Sequence, residues 1–225
     1  MKERQKYTQQ MVSRVCEFGL RHADVFSKET AAGELLEALR QDLMNLTAHA
    51  SGQISGNGSV RTSRASRVAA RNELQFTLER MHQTARALKI EKFYMPRTQS
   101  DETLMDCGEA FAIDAESFKQ EFIRQGFPVT FIDDLKTAVN NLRTKKLELA
   151  ASTAVRKATV AAFEETLKKT GDDLARFDAL VAITLVDSPV LMAEWNHARR
   201  VGRPPARRKP APAPSPPPQT VSTGT

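Results

Sequence analysis

One seam limits what this chain can become. Leu135, Val139, Leu142, Lys146, Leu149, Thr153, Arg156, Val160, Phe163 and Leu167 follow one another at alternating steps of four and three, without a slip. That spacing keeps one face of an α-helix in register with a neighbour. A helix over residues 131–170 spans roughly 60 Å at 1.5 Å per residue, so the body is elongated. Pro128 and the run Thr130-Phe131-Ile132-Asp133 place its entry, in a pattern resembling a capping box. The seam is apolar at both ends and polar at Lys146, Thr153 and Arg156. A polar break in a heptad seam can fix register or oligomeric state; a stretch that neighbouring helices leave uncovered gives the same pattern.

The rest of the chain is helical in the same sense. Val12, Val15, Cys16, Gly19, Ala23 and Phe26 mark a first helix. Thr30 caps a second, carrying Leu35, Leu36, Leu39, Leu43, Leu46 and Ala50. Gly52, Gly56 and Gly58 make residues 51–59 read as a flexible loop before a third helix with Leu74, Leu78 and Met81. Ser100-Asp101-Glu102 and Asp114-Ala115-Glu116 read as the starts of two shorter helices. Phe111, Phe118, Phe122, Phe127 and Phe131 are expected to plug one end of the bundle. Gly171 should end the long helix, with Asp172 capping the next. Leu174, Phe177 and Val181 form one apolar face of that next helix, with Leu180, Ile183 and Val186 opposite, as for a helix covered all round. Ser188-Pro189 opens a last helix bearing Leu191, Trp195 and Ala198. The expectation is an all-α elongated bundle of six or seven helices over residues 1–201.

Charge divides the chain. Residues 1–198 hold 27 Lys+Arg against 27 Asp+Glu, and the whole formal charge of +6 comes from Arg199, Arg200, Arg203, Arg207, Arg208 and Lys209. Eight of the eleven prolines lie between Pro204 and Pro218, so residues 202–225 read as a disordered basic tail. Its run of prolines favours an extended spacer or a ligand for an aromatic groove. The charged N-terminus has no apolar run behind it, so no secretory signal is read. The longest apolar run, residues 179–186, is too short to cross a bilayer. Cys16 and Cys107 do not form a disulfide framework, which fits a reducing cytoplasm.

Two resemblances can be drawn from motifs. Phe177-Asp178-Ala179-Leu180-Val181, Asp187-Ser188-Pro189, Glu194-Trp195 and Ala198-Arg199-Arg200-Val201 together resemble the C-terminal signature of a group of uncharacterised bacterial helical proteins. That implies a bacterial helical protein and no activity. Val201-Gly202-Arg203-Pro204 resembles the Arg-Gly-Arg-Pro core of AT-hook minor-groove binders, with Val201 where the first arginine belongs. The resemblance implies nucleic-acid contact through the tail, without the paired arginines that read the groove.

Chemistry-bearing constellations are few. Glu79-Arg80-Met81-His82 and Glu194-Trp195-Asn196-His197 have the Glu-x-x-His spacing of ferritin-like di-metal bundles. Facing weighs against them: Glu79 lies about 140° and His82 about 80° from the Leu74–Leu78–Met81 stripe. Neither metal nor another cofactor is expected, and no catalytic residue is assigned. Arg61, Arg64, Arg67 and Arg71 stand at helical spacing among Thr62, Ser63 and Ser66, suited to phosphate, an acidic partner or an acidic helix of the same bundle. The function expected is that of a non-catalytic interaction or structural protein, with a protein partner or self-association through the long helix. The alternative is nucleic-acid association through the tail and the arginine stripe, and a di-metal protein ranks last. No membrane partner or small-molecule substrate is inferred.

Overall fold

A computed structural model of the chain describes residues 3–200. They form six helices and, among the described residues, no strand: α1 (Glu3–Arg21), α2 (Ala31–Ala87), α3 (Asp101–Glu116), α4 (Lys119–Arg124), α5 (Phe131–Thr184) and α6 (Pro189–Ala198). The all-α, elongated architecture follows the periodicity, with a second long helix beside the expected one. α2 has 57 residues and α5 has 54, so each is about 80–85 Å long. They pack antiparallel. Lys169 bonds Asp42, Arg156 bonds Asn57 and Ser152 bonds Ser63, so numbers on α5 fall as those on α2 rise.

Two expected breaks are absent. Residues 51–59 are not a loop; they continue α2, which joins the expected second and third helices. The reason is a seven-residue row, Leu39, Leu46, Gln53, Val60, Arg67, Leu74 and Met81, that keeps facing α5 and is anchored in apolar cores at both ends. Glycine costs about 1 kcal/mol against alanine in a helix interior, and here it also serves the packing. That holds at Gly52, where a Cβ would stand 3.1 Å from Thr159 Cγ2; at Gly56 one would stand an ordinary 3.6 Å from Arg156 Cβ. Gly171 likewise does not end α5, and Asp172 caps nothing. The seam runs on through Thr170, Leu174, Phe177 and Val181, whose burial outweighs one glycine. The expected helix start at Asp114 is instead the last turn of α3.

Two of the predicted caps are in place, whereas Ser188 precedes α6 without a side-chain bond to its backbone. Thr30 Oγ1 accepts from Gly33 N at 3.1 Å, and Ser100 Oγ from Thr103 N at 3.2 Å. Thr130 precedes α5 without capping its backbone, its hydroxyl donating to Asp134 at 2.9 Å instead.

Each end of the α2–α5 pair is a separate apolar head. At one end α3, α4 and the segment before α3 close over Leu74, Leu78, Met81, Leu135, Val139 and Leu142. The expected phenylalanine plug is there, centred on Phe93, whose ring lies 5.1 Å from Phe111 and 5.3 Å from Phe122. At the other end α1 and α6 close over Leu36, Leu39, Phe177 and Val181. Trp195 sits there 5.4 Å from Phe18 and 5.3 Å from Phe177. The face carrying Ile183 and Val186 is open: these side chains are exposed, so the end of α5 is not covered all round. Between the heads, among the described residues, only α2 and α5 remain, and that neck positions the candidate site. Residues 202–225, read as a disordered tail, lie outside the described residues.

Candidate functional site

The neck is set apart by its charge. Residues 43–72 of α2 and 149–163 of α5 contain no aspartate or glutamate. They do contain Arg61, Arg64, Arg67, Arg71, Arg156 and Lys157. A body that is neutral overall is therefore cationic at its waist.

α3 neutralises one side of that waist. Arg67 Nη1 bonds the buried Asp101 at 2.9 Å, and Arg71 lies 3.5 Å from the same carboxylate. Arg71 also donates to the Gln99 carbonyl at 2.6 Å. Glu109 pairs with Arg143 and Glu102 with Lys146. The hydrogen bond from Lys146 holds the Glu102 carboxyl below its ordinary range. An acidic helix thus docks on basic positions of the α2–α5 pair, one of the partners open to the arginine stripe.

Arg61 and Arg64 fall beyond the reach of α3. Both are exposed and, among the described residues, neither has a carboxylate partner. Lys157 is exposed in the same way, and Arg156 donates to Asn57 Oδ1 at 2.6 Å. Heptad spacing puts them on one face. Arg64 is seven residues from Arg71, which meets α3, and Arg61 is fourteen from Thr47, which accepts a hydrogen bond from Gln9 of α1 at 3.0 Å. Lys157 is fourteen residues from Arg143, the partner of α3's Glu109. The row Leu36, Leu43, Ala50, Asn57, Arg64, Arg71, Leu78 and Ala85 shows the consequence. It is buried or half-buried at both ends, under α1 and under α3, and exposed only at Asn57 and Arg64.

The remaining sequence-predicted residues are placed as follows. Arg199 is held by Asp178, which also accepts from Trp195 Nε1 at 2.8 Å. Arg200 is exposed, and its carbonyl accepts from Arg14. Arg203, Arg207, Arg208 and Lys209 lie outside the described residues. The two Glu-x-x-His pairs sit at opposite ends of the molecule. His82 Nδ1 bonds the Phe93 carbonyl at 2.7 Å, whereas Glu194 bonds His22 Nε2 at 3.0 Å. Among the described residues no three His, Cys, Asp or Glu side chains gather as metal ligands. Cys16 is buried in one head, and burial pushes its thiol from 9.0 up to about 11. Cys107 belongs to the other head.

Sequence reasoning picked out Arg61 and Arg64 but missed Arg156, Lys157 and the face they share. The signal is the absence of acids over residues 43–72, which the loop predicted by Gly52, Gly56 and Gly58 splits in two.

Fold and face together define a two-headed helical hairpin with a basic waist. No family model matches the chain, and neither the curated proteins nor the solved structures compared with it gave a match. No helix among the described residues is long and apolar enough to cross a membrane.

Proposed function

We propose that this is a non-catalytic interaction protein of the cytoplasm, an elongated scaffold that engages a partner through its neck. The observation that carries the reading is the set of four cations, Arg61, Arg64, Arg156 and Lys157, on a face without acids, where helices cover the same face at both ends. Charges on a folded surface commonly find intramolecular counter-ions, as Arg67 and Arg71 do here, and a like-charged cluster without them favours an anionic partner. Two free cysteines in separate heads agree with a reducing compartment.

A second reading, nucleic-acid association, draws on the same acid-free neck and on the tail cations, since phosphate binding needs positive charge without neighbouring carboxylates.

Affinity capture from the native cell tests both. Three baits are needed: the full chain, the full chain with Arg61→Glu and Arg64→Glu, and the chain ending at Ala198. Partners lost on neck reversal and kept on truncation support the scaffold reading. Nucleic acid lost on truncation supports the second. A partner set unchanged by neck reversal contradicts a neck-mediated function.

A further inference from the structure

The neck face has the dimensions and chemistry of a missing third helix. α1 and α3 both lie along the α2–α5 pair, and they stop short of each other. Gln9 of α1 is level with Thr47 of α2, and the two helices run antiparallel, since Gly19 lies against Leu36. Six residues earlier, α1 begins about level with residue 53. α3 runs the other way, with Asp101 level with Arg67 and Gly108 against Leu74. The interval from residue 53 to residue 67 is about 21 Å at 1.5 Å per residue. About fourteen residues of helix would fill it, adding to the two-helix waist the further helical layer that both heads already have.

The surface in that interval is mixed rather than purely cationic. Ile54, at 77% exposure, shares the row of Thr47 and Arg61, and Leu147, at 66%, lies at the edge of the interval beside Lys146, seven residues before Ala154 and fourteen before Ala161 on α5. Cations flanking exposed aliphatic side chains suit an amphipathic helix, whose apolar stripe buries them while its acids meet the arginines. A phosphate backbone offers nothing to Ile54 or Leu147. The chain supplies its own precedent in α3, which sets Asp101, Glu102 and Glu109 against Arg67, Lys146 and Arg143. Its C-terminal extension is an unsuitable occupant, since residues 201–225 carry Arg203, Arg207, Arg208 and Lys209 and no acid.

The geometry points to this face as the docking site for an acidic amphipathic helix of another protein, seated between the ends of α1 and α3. The inference rests on the scaffold reading and specifies its partner.

The test titrates the full chain into three labelled probes: an acidic Leu/Glu peptide with its leucines at helical spacing, an isomer with the leucines dispersed, and a short duplex DNA. The first peptide binds saturably, and the isomer binds about tenfold more weakly or worse. Arg61→Glu with Arg64→Glu weakens the first peptide by about tenfold or more, while Arg124→Glu, an exposed charge reversal on α4, changes it by less than about twofold. Circular dichroism checks that the variants fold, which the exposed arginines permit. Hydrogen exchange with the first peptide bound shows new protection at residues 53–67 and 147–161.

Equal binding of both peptides, no binding of either, or protection elsewhere overturns the inference. So does duplex DNA that binds more tightly than the first peptide and is released by the same reversal. A dimer in light scattering that the reversal breaks would place a second copy on the face and overturn it as well. Cellular partners that depend on the neck would still support the scaffold reading if the peptide failed, so the two can fail separately.

Discussion

Lys89 and Phe93 both adopt positive φ, at 57° and 62°, without being glycine. Lys89 follows α2 in a Schellman turn: Ile90 N–H reaches the Ala85 carbonyl at 2.9 Å and Lys89 N–H the Arg86 carbonyl at 3.1 Å. Gly126 holds the matching place after α4. A β-carbon in this conformation costs about 1–2 kcal/mol, so Lys89→Gly is expected to raise stability by about 1 kcal/mol in urea unfolding. A loss would mean that the lysine side chain contributes packing of its own. Cys16 supplies a pH signature. Its folded thiol is raised from 9.0 to about 11 by burial, so between those values the unfolded state releases its proton first. Stability is untouched by this group below pH 9 and falls as pH rises towards 11, by on the order of 2 kcal/mol. Cys16→Ala should flatten that part of the alkaline limb, and an unchanged limb would refute the assignment.

Within the long helices, burial at the seam alternates between apolar and polar control. Asp42 is buried and takes Lys169 Nζ at 2.8 Å, with the Thr170 hydroxyl at 3.4 Å. That hydrogen bond holds the Lys169 ammonium above its ordinary value. The partners are unequally placed: Asp42 is inside and Lys169 is more than half exposed. Removing the lysine strands a buried carboxylate, whereas neutralising Asp42 leaves an ammonium that water can solvate. Lys169→Met is expected to cost about 2 kcal/mol, and Asp42→Asn about 1 kcal/mol or less. The reverse order in thermal melts would show that the pair does not act this way. Much of this scale was legible beforehand. The seam from Leu135 to Leu167, the caps at Thr30 and Ser100 and the phenylalanine plug all follow from local pattern. The continuations through residues 51–59 and past Gly171 did not, because glycine is a local signal and the force overriding it is packing against a helix about a hundred residues away. Arg61 and Arg64 were visible as a stripe; that Arg67 and Arg71 meet Asp101 depends on where α3 docks, which spacing alone does not give.

At the scale of the molecule, two apolar heads are joined by a waist of two helices, in which the polar pairs Ser63–Ser152 and Arg156–Asn57 stand beside buried apolar contacts such as Phe163. Cooperativity should be weak across such a joint. The chain's single tryptophan, Trp195, reports on one head alone. Phe111→Ala in the other head should cost about 3 kcal/mol locally. It is expected to move the main unfolding transition seen by circular dichroism and leave the tryptophan-fluorescence midpoint nearly in place. Coincident shifts of both probes would show that the waist transmits stability as one unit. The basic face, the interval between α1 and α3 and the helix proposed to fill it all require α2 to run unbroken through Gly52, Gly56 and Gly58. Native-state hydrogen exchange of the full chain measures that directly. Amides of residues 51–59 should exchange well below the rate of unprotected peptide, though faster than those of either head. Exchange at the unprotected rate would make the segment a loop and remove the face on which the proposed function rests.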